Sequence, residues 1–365
     1  MNRRKFLQYL LGGTSALAVG GPQSILGLAA GANAASGEPA ELTPSVVAIK
    51  RFGHEPDAAA ATQAALDMLG TIDRVIRPGD VVIVKPNLVN ADFKRWIGRV
   101  TNSKVMDGVL QAVVDCGGKP VVAEGTCESK YGGTTGFAEE TGLLDVCSRY
   151  GAKFVDLNEE DAVPVSVPQP LLWSQVHMAR AALECDKFVS VPVMKTHRAA
   201  GVTLGMKNLV GTMSPKRYSY GRSLVRDKMH SWEQQLWNQR YGGTMTGENE
   251  NLRWMSLAAT ISDLASVRPI DLVVVDGTLG EESNSPSGDL VDIKERSGSY
   301  LILAGADPVA VDSVGAYVMR QIPERLQKLR FAASKGLGEC RVQNIEVLGE
   351  RLEDVVVPFR TCVMA

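Results

Sequence analysis

Short apolar runs rich in β-branched residues recur along the chain. Between them lie longer stretches whose apolar residues return every three or four positions. The runs at 45–50 (SVVAIK), 80–85 (DVVIVK), 119–123 (KPVVA), 152–157 (AKFVDL), 187–193 (KFVSVPV), 271–276 (DLVVVD), 299–304 (SYLILA) and 343–348 (QNIEVL) predict strands. Several are apolar without alternation, which suits parallel strands covered on both faces. Helical periodicity occupies 57–70, 103–116, 136–150, 175–185, 252–266, 307–320 and 323–335. This alternation predicts an α/β fold, a doubly wound, mostly parallel sheet with helices on both faces, in one domain over residues 35–365.

One region breaks the rhythm. Residues 213–251 are polar, aromatic and dotted with glycine, and Lys216, Arg217, Arg222, Arg226, Lys228 and Arg240 outnumber Asp227 and Glu233 as far as Tyr241. Trp232 and Trp237 argue against an unfolded tract. A loop this long inside a compact domain is usually functional, so the segment reads as a partly helical, lid-like insertion.

The amino terminus, MNRRKFLQYLLGG, sets Arg3, Arg4 and Lys5 before a modestly apolar stretch that runs to Leu28, with Ala32-Asn33-Ala34 as a small-x-small cleavage site. That is the pattern of a twin-arginine export signal over residues 1–34. Gly12, Gly13, Gly20, Gly21 and Pro22 interrupt the apolar stretch, which suits it poorly to crossing a bilayer, so no stable membrane span is expected after processing. The export machinery is then an expected partner and the periplasm the expected location. Because this route carries folded proteins, the signal also raises the expectation of a bound cofactor without naming one.

Formal net charge is −2 over 365 residues, so no overall field draws the protein to nucleic acid. Cys116, Cys127, Cys147, Cys185, Cys340 and Cys362 form no C-x-x-C pair, and no iron–sulfur cluster, zinc ribbon or disulfide scaffold is expected.

In open parallel sheets, ligands bind outside the carboxyl ends of the strands. Applied strand by strand, that rule collects Lys85 and Asn87, then Glu124, then Lys195 and His197, then Asp276 with Glu281 beyond it, and finally Asp307. Each has a plainer reading. Lys85 could be a strand end reaching for water, Asn87 a turn residue, Asp276-Gly277 a turn, and Asp307 before Pro308 a helix cap. Asp312 would then sit one turn into that helix, near the positive end of its dipole. It is their convergence on one edge that points to a site.

The stretch VPVMKTHRAAGVTLGMKNLVG (191–211) adds Lys207 and Asn208 on a glycine-rich loop. Lysines and an asparagine near backbone N–H groups suit a carboxylate or phosphate. A helix starting near 204 would set Gly205 and Lys207 at its positive end. His197 is a candidate acid/base or metal ligand, and Glu124, Asp276 and Glu281 are candidates to hold a divalent metal. H-E-x-x-H, G-x-S-x-G and G-x-x-x-x-G-K-[ST] are absent, which argues against zinc hydrolases, serine hydrolases and P-loop nucleotidases.

The ordered runs VVIVKPNLV, DCGGKPVVAEG, VPVMKTHRAAGVTLGMKNLVG, DLVVVDGTLGEE, LILAGADPVAVDSVGA and ASKGLGECRVQNIEVLGE resemble the DUF362 family, from about residue 45 to 350. That family has no known function, and its members often carry a twin-arginine signal. Many relatives have a ferredoxin-like cysteine cluster that this sequence lacks, so iron–sulfur electron transfer is not implied here. His197 followed by Gly205-Met206-Lys207 is also loosely similar to an arrangement in the nickel-pincer lactate racemases, with no match elsewhere. The reading that follows is a periplasmic enzyme acting on a small anion. Lys195, Lys207 and His197 would be its reactive groups, with Lys85, Asn87, Asn208, Glu124, Asp276 and Asp307 around the substrate. Two alternatives stand beside it: a non-catalytic metal- or cofactor-binding or maturation factor, and a cofactor-bearing redox or isomerase protein.

Overall fold

The computed structural model describes residues 45–89, 98–127, 133–219, 227–241, 250–283, 285 and 288–360. The expected export signal lies outside the described residues, as do 220–226 and 242–249 of the lid-like segment. No helix among the described residues is long and apolar enough to cross a membrane.

The strands are β1 (Ser45–Phe52), β2 (Val81–Pro86), β3 (Lys119–Glu124), β4 (Lys153–Asp156), β5 (Ala162–Ser166), β6 (Gln175–Ala179), β7 (Lys187–Val191), β8 (Val193–His197), β9 (Gly201–Val202), β10 (Leu272–Glu282), β11 (Asp289–Asp292), β12 (Tyr300–Gly305) and β13 (Ile345–Gly349). The main helices are α1 (Ala58–Leu69), α2 (Ser103–Asp115), α3 (Gly133–Glu140), α4 (Leu143–Arg149), α5 (Leu204–Lys207), α6 (Asp227–Tyr241), α7 (Glu250–Val267), α8 (Pro308–Val318) and α9 (Gln327–Ser334). The large sheet runs β13-β1-β12-β10-β7-β2-β3-β4.

Successive residues of the central strands enter opposite cores, as the period of two demands. Ile83, Phe188, Val273, Val275, Leu301 and Leu303 belong to one cluster, which α7, α8 and α9 cover. Val82, Val84, Val189, Leu272, Val274 and Ile302 belong to the other, covered by α1, α2 and α4. Both faces are dry, which is why these strands read as unbroken apolar runs.

β2, β3, β4, β7 and β10 run parallel to their sheet neighbours in this group. From β2 the chain moves outward through β3 to β4. It then returns to lay β7 on the other side of β2 and continues outward to β10. The gap between β2 and β7 is therefore a topological switch point. Strand β12 departs from the parallel expectation, pairing antiparallel with both β1 and β10. Its carboxyl end faces the edge where its neighbours begin.

Three further differences have local causes. The helix expected at 175–185 is strand β6 followed by a five-residue helix, Arg180–Glu184. Buried Val176 and Met178 alternate with exposed Gln175 and half-buried His177, a period of two, and β6 pairs antiparallel with β5. The helix expected at 136–150 is two helices, α3 and α4, parted at Gly142. Strand β10 runs on through Gly277 to Glu282, so Asp276 sits in mid-strand instead of at a turn. A Cβ on Gly277 would stand 2.6 Å from the Leu301 carbonyl oxygen, so the glycine serves close strand approach.

In the lid-like segment, a short helix at Pro215–Tyr218 leads toward α6. Tyr218, Met229 and Trp237 are buried in the core beside α7, and Tyr218 meets Trp173 and Trp232 edge to face.

Candidate functional site

At the switch point, the carboxyl ends of β2, β3 and β8 and the loop 203–211 enclose a pocket of about 130 Å³. Its wall includes Lys85, Asn87, Glu124, Lys195, His197, Lys207 and Asn208. All seven were singled out from the sequence. The structure does not bring Asp276, Glu281 or Asp307 to that wall.

The frame is built first. Lys85 and Asn87 are two residues apart on an extended run and so share one face. Lys85 is 1% exposed; its Nζ donates to Glu124 Oε1 at 2.5 Å and to Asn208 Oδ1 at 2.9 Å. Asn208 Oδ1 also accepts from Asn87 Nδ2 at 2.7 Å, while Asn208 Nδ2 donates to the Lys85 carbonyl at 3.0 Å and to Ser190 Oγ at 3.1 Å. Glu124 takes two further donors, the backbone N–H of Leu88 at 3.1 Å and of Gly125 at 2.7 Å. Asn87 Oδ1 accepts from the Val193 N–H at 3.1 Å, tying the end of β2 to the start of β8. The Lys85–Glu124 pair is thus buried and well supplied with partners, and removing one member of such a pair costs about 3–5 kcal/mol. Lys85, Asn87, Glu124 and Asn208 hold the shape of the pocket, and Lys85 brings its own counter-charge.

The reactive groups stand on this frame. β8 continues β7 past Pro192, and Lys195 and His197, two apart, point to the same side. Thr196 between them faces the other way, where its Oγ1 donates to the Arg360 carbonyl at 3.0 Å and accepts from the Ser283 N–H at 2.9 Å. Lys195 is 1% exposed, and its Nζ makes a long contact of 3.3 Å to the Arg99 carbonyl. Burial drags its amine down from 10.5 to about 7, Lys207 and Lys85 push the same way, and Glu281 and Glu124 oppose. Glu281 is Lys195's register partner on β10. At neutral pH, Lys195 is therefore divided between ammonium and free amine.

His197 Nδ1 accepts from the backbone N–H groups of Ala199 at 3.0 Å and Ala200 at 3.2 Å. A nitrogen that accepts carries a lone pair, so the neutral ring bears its proton on Nε2. That makes Nε2 a hydrogen-bond donor. Ligating a metal through Nε2 would require the proton to move to Nδ1 and would break both bonds. The acid/base or metal role expected of His197 narrows accordingly to donation.

The three carboxylates proposed for a metal do not converge. Glu124 is bound to Lys85. Asp276 accepts from Asn102 N at 2.7 Å and from Thr278 N and Oγ1 at 2.9 and 2.6 Å, and burial nevertheless pushes its carboxyl up. Glu281 accepts from Arg99 Nε at 2.8 Å. Among the described residues, no three His, Cys, Asp or Glu side chains are grouped as a metal would need. Asp307, just past the end of antiparallel β12, is at the opposite edge of the sheet. There it caps α8 through the N–H groups of Val309 and Ala310, at 2.9 and 3.0 Å, and accepts from Ser45 Oγ at 2.6 Å.

The expected helix end at 204 also has a different occupant. The N–H groups of Gly205 and Met206 donate to the Asp312 carboxylate, at 2.7 and 3.3 Å, so the positive end of α5 faces α8 and not the pocket. Asp312 is in turn bound by buried Lys328 at 2.9 Å, whose Nζ also donates to the Val202 and Thr203 carbonyls. This pair fixes the loop that carries Lys207. From the sequence alone, Asp312 is only a partner for the helix dipole. Lys328 and Arg99 carried no signal, being single charges in unremarkable contexts. Thr203, Gly211, Cys127 and Ser285 also line the pocket without having been singled out. No described residue of the lid-like segment does.

Fold and site together define an α/β protein whose polar side chains gather at a switch point outside the ends of parallel strands. Residues 82–317, well over half the chain, match the family described as Domain of unknown function (DUF362), and the chain belongs to that family. It is 26% identical over 282 residues to a thylakoid-associated protein of Synechocystis sp., covering 76% of this chain and 74% of that one. The lactate racemase apoprotein of Thermoanaerobacterium thermosaccharolyticum is 16% identical with a TM-score of 0.41, over 78% of this chain and 59% of that chain. A protein from Thermotoga maritima is 11% identical with a TM-score of 0.41, over 78% of this chain and 60% of that chain. The chain thus spans less than two thirds of either solved structure, and no residue role transfers at that distance.

Proposed function

We propose that this protein is an enzyme acting on a small anion, a carboxylate or phosphate, held in the switch-point pocket with Lys195 as its reactive amine. The observation that carries the reading is Lys195 itself, a buried amine lining a pocket and poised at about 7. A group with that value gives and takes a proton at neutral pH with little driving force lost either way. Lys207 supplies the positive charge for the anion, joined by Lys195 when protonated. Lys85 keeps its charge for Glu124. His197 Nε2–H donates a hydrogen bond to an anionic or carbonyl oxygen of the ligand.

The twin-arginine pattern at Arg3 and Arg4 supports a periplasmic setting for this chemistry. Titration calorimetry of the full chain with phosphate, propionate and pyruvate tests the reading. Affinity is expected to fall as pH rises through about 7, where Lys195 loses its charge. Lys207→Ala should weaken binding by about tenfold, or ~1.4 kcal/mol, with melting temperature nearly unchanged. Absence of binding for every anion tried would sink the proposal.

A further inference from the structure

Lys195 and His197 stand side by side on one face of β8, about 7 Å apart along the strand at roughly 3.3 Å per residue. The pocket they share is small, about 130 Å³, and its wall carries Lys207 as well. The lysines on this wall favour a ligand that presents a negative charge. Lys195 is 1% exposed and, among the described residues, its amine makes one long contact, to the Arg99 carbonyl, so it is not consumed by the frame that holds Lys85. Beside it, the Nε2–H tautomer of His197 is a donor suited to a carbonyl oxygen and unsuited to removing a proton.

Resting on the anion-binding reading above, we infer that the ligand is a 2-oxo acid and that Lys195 condenses with its carbonyl carbon to form an imine. The carboxylate meets Lys207, and His197 Nε2–H polarises the neighbouring C=O. The nitrogen lone pair of Lys195 forms the N–C bond as the carbonyl π bond breaks. Both amine protons pass, through water, to the former carbonyl oxygen, which leaves as water as the C=N bond forms. Amine and oxo acid become imine and water, with no electron donor or acceptor required. Lys195 in its two forms serves both stages, the ammonium in capture and the free amine in attack. Once protonated, the imine draws electrons from the neighbouring carbon of the side chain, easing loss of a proton there.

The test is reductive trapping. The intact protein is mixed at pH 7 with pyruvate or glyoxylate and then with borohydride, and the adduct is located by peptide mass mapping. A modified Lys195, suppressed by excess propionate and absent from Lys195→Arg, is the expected result. Calorimetry on the same samples separates the two levels of the argument. If the anions bind and no adduct forms on Lys195, the imine falls and the anion-binding reading stands. If no anion binds, both fall. Adducts spread over exposed lysines with no preference for Lys195 also overturn the imine. Should Lys195→Arg fail to fold, mapping and propionate competition on the unaltered chain still decide.

Discussion

Lys195 couples the site to stability, and the sign can be worked out. Burial sets its amine at about 7 in the folded chain against the ordinary lysine value of 10.5. Below 7 both states hold the proton, and the folded state bears the full burden of a buried charge. Between 7 and 10.5 the unfolded chain holds more protons, so stability rises with pH over that window. Lys195→Met removes this dependence. Relative to the unaltered protein, the variant should be more favoured at pH 6 than at pH 9, by about 2–3 kcal/mol in paired urea titrations. Equal effects at the two pH values would mean that the amine is not depressed. Such a residue was half legible in the sequence. The alternation V-M-K-T-H places Lys195 and His197 on one face, but burial and the opposing charges come from β10 and from the loop 203–211. Nothing local to residue 195 encodes them.

The loop 203–211 is the element on which the site turns, and Gly211 is its tightest point. A Cβ there would lie 2.8 Å from Lys85 Nζ and 2.9 Å from Glu124 Oε1. The glycine lets backbone close over a buried ion pair. Gly211→Ala should therefore destabilise by about 1–3 kcal/mol, as overpacking does, and weaken anion binding at the same time. Gly53, whose Cβ would meet nothing within 4 Å, provides the control, and Gly53→Ala should leave both unchanged. Unfolding curves and calorimetry on the two variants check this. Elements were read well where a single period ran for a full strand or helix, as in β2, β3, β7, α1 and α2. They were misread at Gln175–Glu184, where a five-residue strand runs into a five-residue helix and neither run is long enough for its period to stand alone.

At the scale of the whole molecule, the two edges of the sheet have different work. The pocket occupies the edge where β2, β3 and β8 end. The reversed strand β12 sends Asp307 to the other edge, where it joins β1, α8 and the N–H of Glu339, at 3.0 Å, into a structural knot. Asp307→Ala should lower stability by about 1–2 kcal/mol, the scale of a lost cap, and leave anion affinity unchanged. Loss of affinity at preserved stability would move Asp307 back into the site. The sequence could not settle this, because strand sense is a property of pairing. The run SYLILAGADP reads the same whichever way it lies.

The bonds that shape the pocket join parts of the chain remote from one another. Lys85 reaches Glu124 across 39 residues and Asn208 across 123, and Asn87 reaches Val193 across 106. Contacts that close such long loops are the slow ones in folding, because the chain surrenders its freedom before they repay it. The pocket consequently takes shape only once β2, β3 and β7 lie side by side, and a chain that stalls earlier presents no site at all. Ligand capacity during refolding should therefore return with the slowest phase, after helical signal has recovered.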